Sequence, residues 1–352
     1  MTIGRTVLEL APAPGNPRNS EGAFLRLKDG RILFVYSRFE GDAHFDHAPA
    51  CIAARTSADD GETWSGDRIL FRREDFGAAN LMSVSLLRMA DGQVGLFFLL
   101  RYGWDNLQLT LFRSGDEGET WSAPRRCYGA NGYYVTNNDR VIRLKSGRIL
   151  APANLHRNTV TSFDSRGVAH FFLSDDDGQT FRDAKDCIFP PTNKLISGLQ
   201  ETGVVELENG VLWAFMRTSG GCHYQSFSFD SGDTWTDAAP SRFTGPCSPL
   251  SMKRLADGRL LAVYNPRPEY NAQPIEPAWE RTPLVAETSS DDGKTWSEPI
   301  FIEDESEPAA YCYTAILAEE DMILLAYCAG SRADKGALNR TRIKKIQPSE
   351  LK

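Results

Sequence analysis

Short segments in which apolar and polar residues alternate run along the whole chain, and they come in pairs joined by a polar turn. Five of these turns contain a glycine, at Gly30, Gly92, Gly147, Gly210 and Gly258. The sixth pair, residues 315–327, has no glycine at its turn. Alternation of this kind is typical of β-strands, and Asp-Gly, Ser-Gly or Asn-Gly between two such segments favours a hairpin because glycine adopts the positive φ of tight turns. The pattern therefore predicts six β-hairpins.

A second motif, Ser-x-Asp-x-Gly-x-Thr-aromatic, follows five of the hairpins. Its copies begin at Ser57, Ser114, Ser174, Ser228 and Ser289. Ser and Asp side chains bond backbone amides in tight turns, and glycine supplies a conformation that other residues resist. An EF-hand calcium loop needs ligands at several alternating positions and a terminal Glu, which this motif lacks. We interpret it as a structural turn whose aromatic residue packs between sheets.

The two motifs together predict repeated units of about four short antiparallel strands, without sustained helical periodicity between them. Six such sheets around an axis form an all-β fold, a six-bladed β-propeller of four-stranded antiparallel blades. The last blade would use residues 338–346 as its third strand and residues 6–10 as its outer strand. Since 352 residues divided by six gives about 59 residues a blade, we expect one domain over residues 1–352. A long solenoid is the alternative architecture, but it would need polar caps at both ends.

Composition excludes several classes of protein. The formal net charge is −8 and no Lys/Arg run occurs, so we expect neither nucleic acid nor an anionic membrane as a partner. No apolar run approaches the roughly 20 residues of a membrane helix. The 7 cysteines are scattered and form no Cys-x-x-Cys pair, which favours free thiols over disulfides or zinc. No export signal precedes the first strand, so we expect a cytoplasmic protein, or a secreted one if a leader has been removed.

The order of strands within a blade predicts where polar and charged residues of different blades lie close together. The glycine turns and the Ser-x-Asp motifs share one rim of the propeller, and the opposite rim gathers the starts of first strands, the ends of second strands and the starts of third strands. The first-strand starts carry Arg18, Glu21, Asn138, Asp139, Arg140, Glu201, Tyr311 and Tyr313; the second-strand ends carry Arg38, Arg101, Arg157, Arg217 and Arg267; the third-strand starts carry Asp42, His44, Asp46, His47 and Arg281. Arginine suits the bidentate capture of a carboxylate or phosphate, so we expect an anionic ligand.

These rim segments resemble the sialidase (exo-α-neuraminidase) superfamily over essentially the whole chain. Residues 201–217 are similar to the family segment in which a Glu precedes a Val-Val-Glu-Leu strand and an Arg ends the next strand. Arg281 stands at the head of a strand that leads into a Ser-x-Asp motif, like the third arginine of the family. Ala-Tyr311-Cys-Tyr313 resembles the Tyr-Ser-Asp-Leu segment that holds a nucleophilic tyrosine.

The resemblance implies a retaining exo-glycosidase that hydrolyses terminal α-ketosidically linked sialic acid, or a related nonulosonic acid, with no metal or organic cofactor. Arg18, Arg217 and Arg281 would clamp the sugar carboxylate. Tyr311 would be the nucleophile, Glu201 its base and Asp46 the general acid/base, while the remaining substrate contacts would be Arg38, Asp139, Glu21 and Tyr313. Sialidases are the noted glycosidases that use tyrosine. A neutral phenol avoids repulsion from the sugar carboxylate, but its pKa near 10 demands a neighbouring base.

Several alternatives remain open on sequence alone. The family places its first arginine in Arg-Ile-Pro, whereas Arg18 is followed by two additional residues before the apolar strand, and Glu21 has no family counterpart. Asp42 could replace Asp46 as the acid, Tyr313 could replace Tyr311 because strand geometry is expected to point only one of them into the mouth, and Asp139 could instead tie its blade to a neighbour. The chain could also be a glycosidase for another acidic sugar, or a non-catalytic sugar-binding propeller. His44 and His47 could bind zinc, but on a loop they fix no common face.

Overall fold

The computed structural model describes residues 2–159, 162–266, 281–307 and 309–352. Its regular structure consists of strands, with short 3-10 helices at Arg73–Phe76 and Pro348–Glu350. In chain order the strands of the described residues are β1 Arg5–Leu10, β2 Asn19–Arg26, β3 Ile32–Phe39, β4 Ala50–Ser57, β5 Arg68–Phe71, β6 Asn80–Arg88, β7 Val94–Arg101, β8 Leu107–Ser114, β9 Arg125–Arg126, β10 Tyr133–Val135, β11 Ile142–Arg143, β12 Ile149–His156, β13 Gly167–Ser174, β14 Arg182–Asp183, β15 Gln200–Glu206, β16 Leu212–Arg217, β17 Cys222–Ser228, β18 Ala239–Thr244, β19 Ser251–Arg254, β20 Leu260–Tyr264, β21 Leu284–Ser289, β22 Ile300–Glu303, β23 Ala309–Ala318, β24 Ile323–Ser331 and β25 Thr341–Ile346. The all-β prediction is confirmed.

The strands form antiparallel sheets of consecutive hairpins. Four-stranded sheets run β2-β3-β4-β5, β15-β16-β17-β18 and β19-β20-β21-β22. A nine-stranded sheet contains β6 to β14, and its two halves are joined through β10, which pairs in parallel with β8 at Tyr133 and Leu107. All six predicted hairpins are present, as β2–β3, β6–β7, β11–β12, β15–β16, β19–β20 and β23–β24.

The chain ends meet in one sheet, as the sequence predicts. The order of this sheet is β1-β25-β24-β23, so the N-terminal strand is its outer edge beside the last strand of the chain. Leu10 lies opposite Thr341 in the antiparallel register. None of the helices in the described part of the chain is long and apolar enough to cross a membrane.

The Ser-x-Asp motifs form the turns that the sequence predicts. In the first copy, Asp59 accepts hydrogen bonds from the Ser57 hydroxyl at 2.8 Å and the Thr63 amide at 2.9 Å, while the Gly61 amide donates to Ser57 Oγ at 2.8 Å. The indole of Trp64 then donates to the Gly61 carbonyl and packs 6.1 Å from the ring of Phe24. Equivalent Ser, Asp and Gly bonds occur in the other four copies. The motifs therefore use their carboxylates to hold turns.

The apolar core lies between the sheets. The described residues form six large apolar clusters. Five of them join one group of strands to the next group along the chain. The last cluster joins the β23–β25 sheet back to the β2–β5 sheet through residues such as Leu324 and Phe34. The first and last sheets of the chain are therefore packed against each other.

Candidate active site

Six of the predicted residues line one pocket of about 570 Å³ where the first strands meet. They come from different parts of the fold: Glu21, Asp46, Glu201, Arg217, Arg281 and Tyr313. Three lie on first strands, Arg217 ends a second strand, and Asp46 and Arg281 precede third strands. This is the convergence of polar strand ends that the blade order predicts.

β-Bulges on the first strands point these side chains inward. The strand registers shift between Ser20 and Ala23 in β2, between Gln200 and Gly203 in β15, and between Cys312 and Ala315 in β23. Glu21, Glu201 and Tyr313 lie in these shifts with φ of 56°, 50° and 59°. Positive φ is uncommon for residues other than glycine, and bulges re-aim side chains near active sites. The strained backbone thus places three functional side chains at one centre.

Tyr313 and Glu201 form the central pair of the pocket. The Tyr313 hydroxyl donates a hydrogen bond to Glu201 Oε1 at 2.8 Å. Arg217 forms an ion pair with the same carboxylate oxygen and lies 3.4 Å from the Tyr313 hydroxyl oxygen. Glu201 Oε2 is buried without a partner among the described residues. One oxygen of Glu201 is therefore bound by both the phenol and the Arg217 guanidinium, while the other has no partner among the described residues.

Cysteine sulfurs hold two of the pocket arginines. Arg217 Nε donates to Cys247 Sγ at 3.1 Å, and Arg281 Nη1 donates to Cys312 Sγ at 3.1 Å. Arg281 Nη2 also donates to the Cys247 carbonyl, and its guanidinium lies 5.6 Å from the centre of the Tyr313 ring. The sequence reasoning assigned no role to these cysteines because nothing in their scattered spacing indicates a site. These sulfur acceptors orient both guanidinium groups at the pocket.

Arg18 is buried beneath the pocket and is engaged by two carboxylates. Its guanidinium forms ion pairs of 2.6 Å with Glu21 Oε1 and with Asp46 Oδ1, and its carbon lies 4.4 Å from the centre of the Phe39 ring. Glu21 Oε2 accepts a further hydrogen bond from the Ser83 hydroxyl. Arg18 therefore reaches a ligand only if one of these carboxylates moves.

The electrostatics of the pocket follow from these pairings. Burial raises the pKa of Glu21 to about 7, although the Arg18 charge acts in the opposite direction. Removal from water tends to raise the pKa of Asp46, but the charge and hydrogen bond of Arg18 outweigh this and lower it below its usual range. Burial, followed by the Glu201 charge, raises the pKa of Tyr313 well above 10. The phenol is thus neutral at pH 7, and its proton is donated in a hydrogen bond to the Glu201 carboxylate.

Tyr311 does not reach the pocket, which corrects the prediction that it is the nucleophile. Its side chain is fully buried in a core cluster beside Tyr327, and its hydroxyl has no partner among the described residues. On a regular strand residues two apart share a face, so alternation alone could not have separated Tyr311 from Tyr313. The bulge after Cys312 separates them, and it is Tyr313 that faces the pocket.

Two further predicted contacts lie elsewhere. Arg38 is turned toward Asp67, with 3.4 Å between Nε and Oδ2, and does not line the pocket. Asp139 accepts a hydrogen bond from Lys253 Nζ at 2.7 Å and another from the Ile316 amide at 2.9 Å. Asp139 therefore ties neighbouring first strands together, which is the alternative reading of this residue.

The other residues at the predicted rim differ in their surroundings. Arg101 is buried against the rings of Trp104 and Tyr133, whereas Arg157 and Asp42 are exposed. Arg267 lies outside the described residues. No group of three or more His, Cys, Asp or Glu within the described ranges could hold a metal ion.

An aromatic wall that the sequence pattern does not predict places Tyr133, His156 and Phe163 in the lining of the pocket. It consists of Trp104, Tyr133, His156 and Phe163, whose rings lie 5.4 to 6.2 Å from their neighbours. Phe163 is 51% exposed. No motif marks these residues, since they come from separate loops and strand ends. The pocket thus combines a charged side with an apolar side, as ligand sites commonly do.

Comparisons with known proteins agree with this architecture. A curated sialidase of Bacteroides fragilis (strain YCH46) is 24% identical over 350 residues, covering 89% of this chain and 59% of the relative, so the chain spans less than two thirds of that protein. A Dyadobacter fermentans protein of unknown function superposes with a TM-score of 0.73 at 17% identity, covering 99% of this chain and 100% of the other. The intramolecular trans-sialidase from Ruminococcus gnavus superposes with a TM-score of 0.72 at 14% identity, covering 99% and 98%.

Fold and repeat pattern together define the class of the protein. It is an all-β protein whose fold is similar to that of solved sialidases. More narrowly, the family model of the BNR repeat-like domain matches residues 52–325, and the chain belongs to that family.

Proposed function

We propose that the chain is a retaining exo-glycosidase that hydrolyses terminal α-linked sialic acid, or a related nonulosonic acid, with Tyr313 as its nucleophile. The observation that carries the proposal is the 2.8 Å hydrogen bond from the Tyr313 hydroxyl to Glu201, between Arg217 and Arg281. A nucleophile bonded to a base, beside cations that suit a carboxylate, is the arrangement this chemistry requires.

The first step would transfer the phenolic proton of Tyr313 to Glu201 while the Tyr313 oxygen attacks the anomeric carbon. Asp46 would donate a proton to the leaving oxygen, and the bond between that oxygen and the anomeric carbon would break. In the second step Asp46 would take a proton from water, whose oxygen displaces Tyr313 and releases the sugar with retained configuration. Glu201 returns its proton to Tyr313.

Asp46 needs a proton for the first step, yet its ion pair with Arg18 favours the ionised carboxylate. A substrate carboxylate that binds Arg18 would displace Asp46 and remove the main cause of its lowered pKa. The side chain of Asp46 is 65% exposed, so it is free to turn toward a leaving group. We therefore assign Asp46 as the acid, and Arg18 as the third carboxylate ligand after this displacement.

The architecture that we propose for this activity is a single domain, residues 1–352, with six blades. The nine-stranded sheet would contribute two blades, β6 to β9 and β10 to β14, joined at their edges by β10. Six large core clusters, each of which lies between two of the proposed blades, support this division.

One observation favours a second candidate, a glycosidase for another acidic sugar. Glu21 and Asp46 both form ion pairs with Arg18, so a substrate bound by Arg217 and Arg281 alone would not require either carboxylate to move. Turnover of a uronide glycoside in place of a sialoside would support this candidate.

The test is release of free sialic acid from a simple α-sialoside by the wild type and two tyrosine variants. We expect Tyr313→Phe to lower kcat by roughly 1,000-fold or more, since it removes the nucleophile. Tyr311→Phe is the matched control and should keep activity within about twofold, because its hydroxyl has no hydrogen-bond partner among the described residues. An active Tyr313→Phe enzyme would exclude this mechanism, and a wild type that binds sialic acid without cleaving sialosides would favour the sugar-binding alternative.

A further inference from the structure

A second cavity, of about 370 Å³, lies among the first strands β6, β11, β15 and β19 and shares no lining residue with the pocket described above. Much of its wall is apolar, formed by Leu86, Leu87, Val141, Val204, Phe215 and Met252. The charged groups on this wall include Arg140, which the sequence reasoning placed at the pocket mouth and the structure places here.

Arg140 is a buried cation that forms no direct ion pair with any described residue. Its residue is only 4% exposed, and no carboxylate within the described ranges comes within ion-pair distance of its guanidinium. Nη2 donates to the Leu250 carbonyl at 2.7 Å, Nε is buried without a partner, and the guanidinium lies 5.4 Å from the centre of the Phe215 ring. An uncompensated buried charge is strongly destabilising, so an anion beside it would be stabilised.

The other cations on the wall already have partners. These pairs are Arg143 with Asp177, Lys145 with Glu208, Lys253 with Asp139, and Arg254 with Asp292. The remaining acid, Glu206, accepts a hydrogen bond from the Lys145 amide. Among the described residues, Arg140 is thus the cation of this wall that lacks an ionic partner.

We propose that this cavity is a binding site for a small organic anion, a carboxylate on an apolar body. Its carboxylate would accept hydrogen bonds from Arg140, and its body would pack on Phe215, Leu86 and Met252. A charged hydrogen bond supplies orientation, and the apolar wall supplies burial. The site is separate from the proposed glycosidase pocket and does not depend on that activity.

The test is titration of the full-length protein with hexanoate, followed by calorimetry. Hexanoate should bind the wild type, while neutral hexanamide, which has the same body, should bind at least about tenfold more weakly. Arg140→Met should weaken hexanoate binding by a similar factor. Arg281→Met, which removes a cation of the other pocket, should leave it unchanged.

Each contrary result overturns the proposal. The site would be excluded if hexanoate did not bind, if hexanamide bound equally well, or if Arg140→Met bound hexanoate as tightly as the wild type. Loss of binding in Arg281→Met would assign hexanoate to the other pocket. Inorganic phosphate binding as tightly as hexanoate would exclude the apolar part of the site.

If circular dichroism shows that Arg140→Met does not fold, Leu87→Trp replaces it as the test, because it fills the cavity and retains Arg140. This variant should weaken hexanoate binding by at least about tenfold, and unchanged binding would exclude the site.

Discussion

Arg281 differs from the other two pocket arginines in its partners. Arg18 is paired with two carboxylates and Arg217 with one, whereas the described partners of Arg281 are the Cys312 sulfur and the Cys247 carbonyl. Its Nε is buried without a partner. The uncompensated positive charge of the pocket is therefore concentrated at Arg281, and an incoming carboxylate should bind there first.

Cys247 provides a direct probe of this charge. Its half-buried thiol lines the pocket 3.1 Å from Arg217 Nε. Because cations attract an anionic reagent, iodoacetate should alkylate Cys247 faster, relative to neutral iodoacetamide, than it alkylates cysteines elsewhere. We expect the ratio of the two rates to be roughly tenfold higher at Cys247, measured by mass spectrometry of peptides.

Cys187 and Cys222 are internal controls, since both are half-buried and neither lines the pocket. Cys187 lies beside Asp186, which together with burial raises the pKa of its thiol. Equal rate ratios at the three cysteines would contradict a cationic pocket.

Glu21 should make stability depend on pH. Its pKa is about 7 in the folded protein against an ordinary value of 4.5, mainly because it is buried. Between these values the unfolded chain has released the proton and the folded protein retains it, so the contribution of Glu21 to the free energy of unfolding falls as pH rises. The loss should reach up to about 3 kcal/mol above pH 7.

Glu21→Gln is the control, since glutamine does not titrate but keeps the shape of the side chain. Denaturant unfolding at pH 5 and pH 8 should show the variant gaining stability relative to the wild type at the higher pH. The same difference at both pH values would mean that Glu21 is not buried beside Arg18, Asp46 and Ser83 as the structure has it.

At the level of the strand, the bulges decide which residues reach the pocket. Gly203 ends the register shift that contains Glu201, and a Cβ there would lie 2.3 Å from the Phe215 ring and 3.1 Å from Arg140 Nη1. Gly203→Ala should therefore lower the free energy of unfolding by about 1–3 kcal/mol through overpacking. It should also lower kcat by displacing Glu201.

Gly66→Ala is the matched control. Its new Cβ would have no atom within 4 Å, and Gly66 does not need positive φ. Its stability should change by less than about 0.5 kcal/mol. Denaturant unfolding of both variants checks the comparison, and an equally small effect at Gly203 would contradict the tight packing of the bulge.

The hairpins and turns could be predicted from sequence because their signals are local. Alternation of apolar and polar residues shows which face of a strand is buried. Gly30 and Gly61 mark turns because glycine readily adopts the positive φ that they have. The bulges could not be predicted in this way, because Glu21, Glu201 and Tyr313 have positive φ although neither Glu nor Tyr favours it. The register shift in β23 places Tyr313 in the pocket, where the sequence predicted Tyr311.

For the molecule as a whole, the order of strands predicted which residues would meet, although they lie far apart in sequence. Strand ends that share a rim brought Asp46, Glu201, Arg217, Arg281 and Tyr313 to one pocket. Side-chain direction limited the prediction: Arg38 turns outward to Asp67 and Asp139 ties neighbouring strands. The aromatic wall and the thiols depend on packing between blades, for which the sequence carries no local pattern.

The central claim is that Tyr313 attacks the anomeric carbon of a sialic acid. The most direct measurement is mass spectrometry of the protein after incubation with 2,3-difluorosialic acid, whose fluoride leaves readily while the second fluorine slows release of the sugar from the enzyme. We expect one fluorosialyl adduct, located on the peptide that contains Tyr313 and absent from Tyr313→Phe. An adduct on another residue, or turnover of sialosides with no adduct on Tyr313, would contradict it.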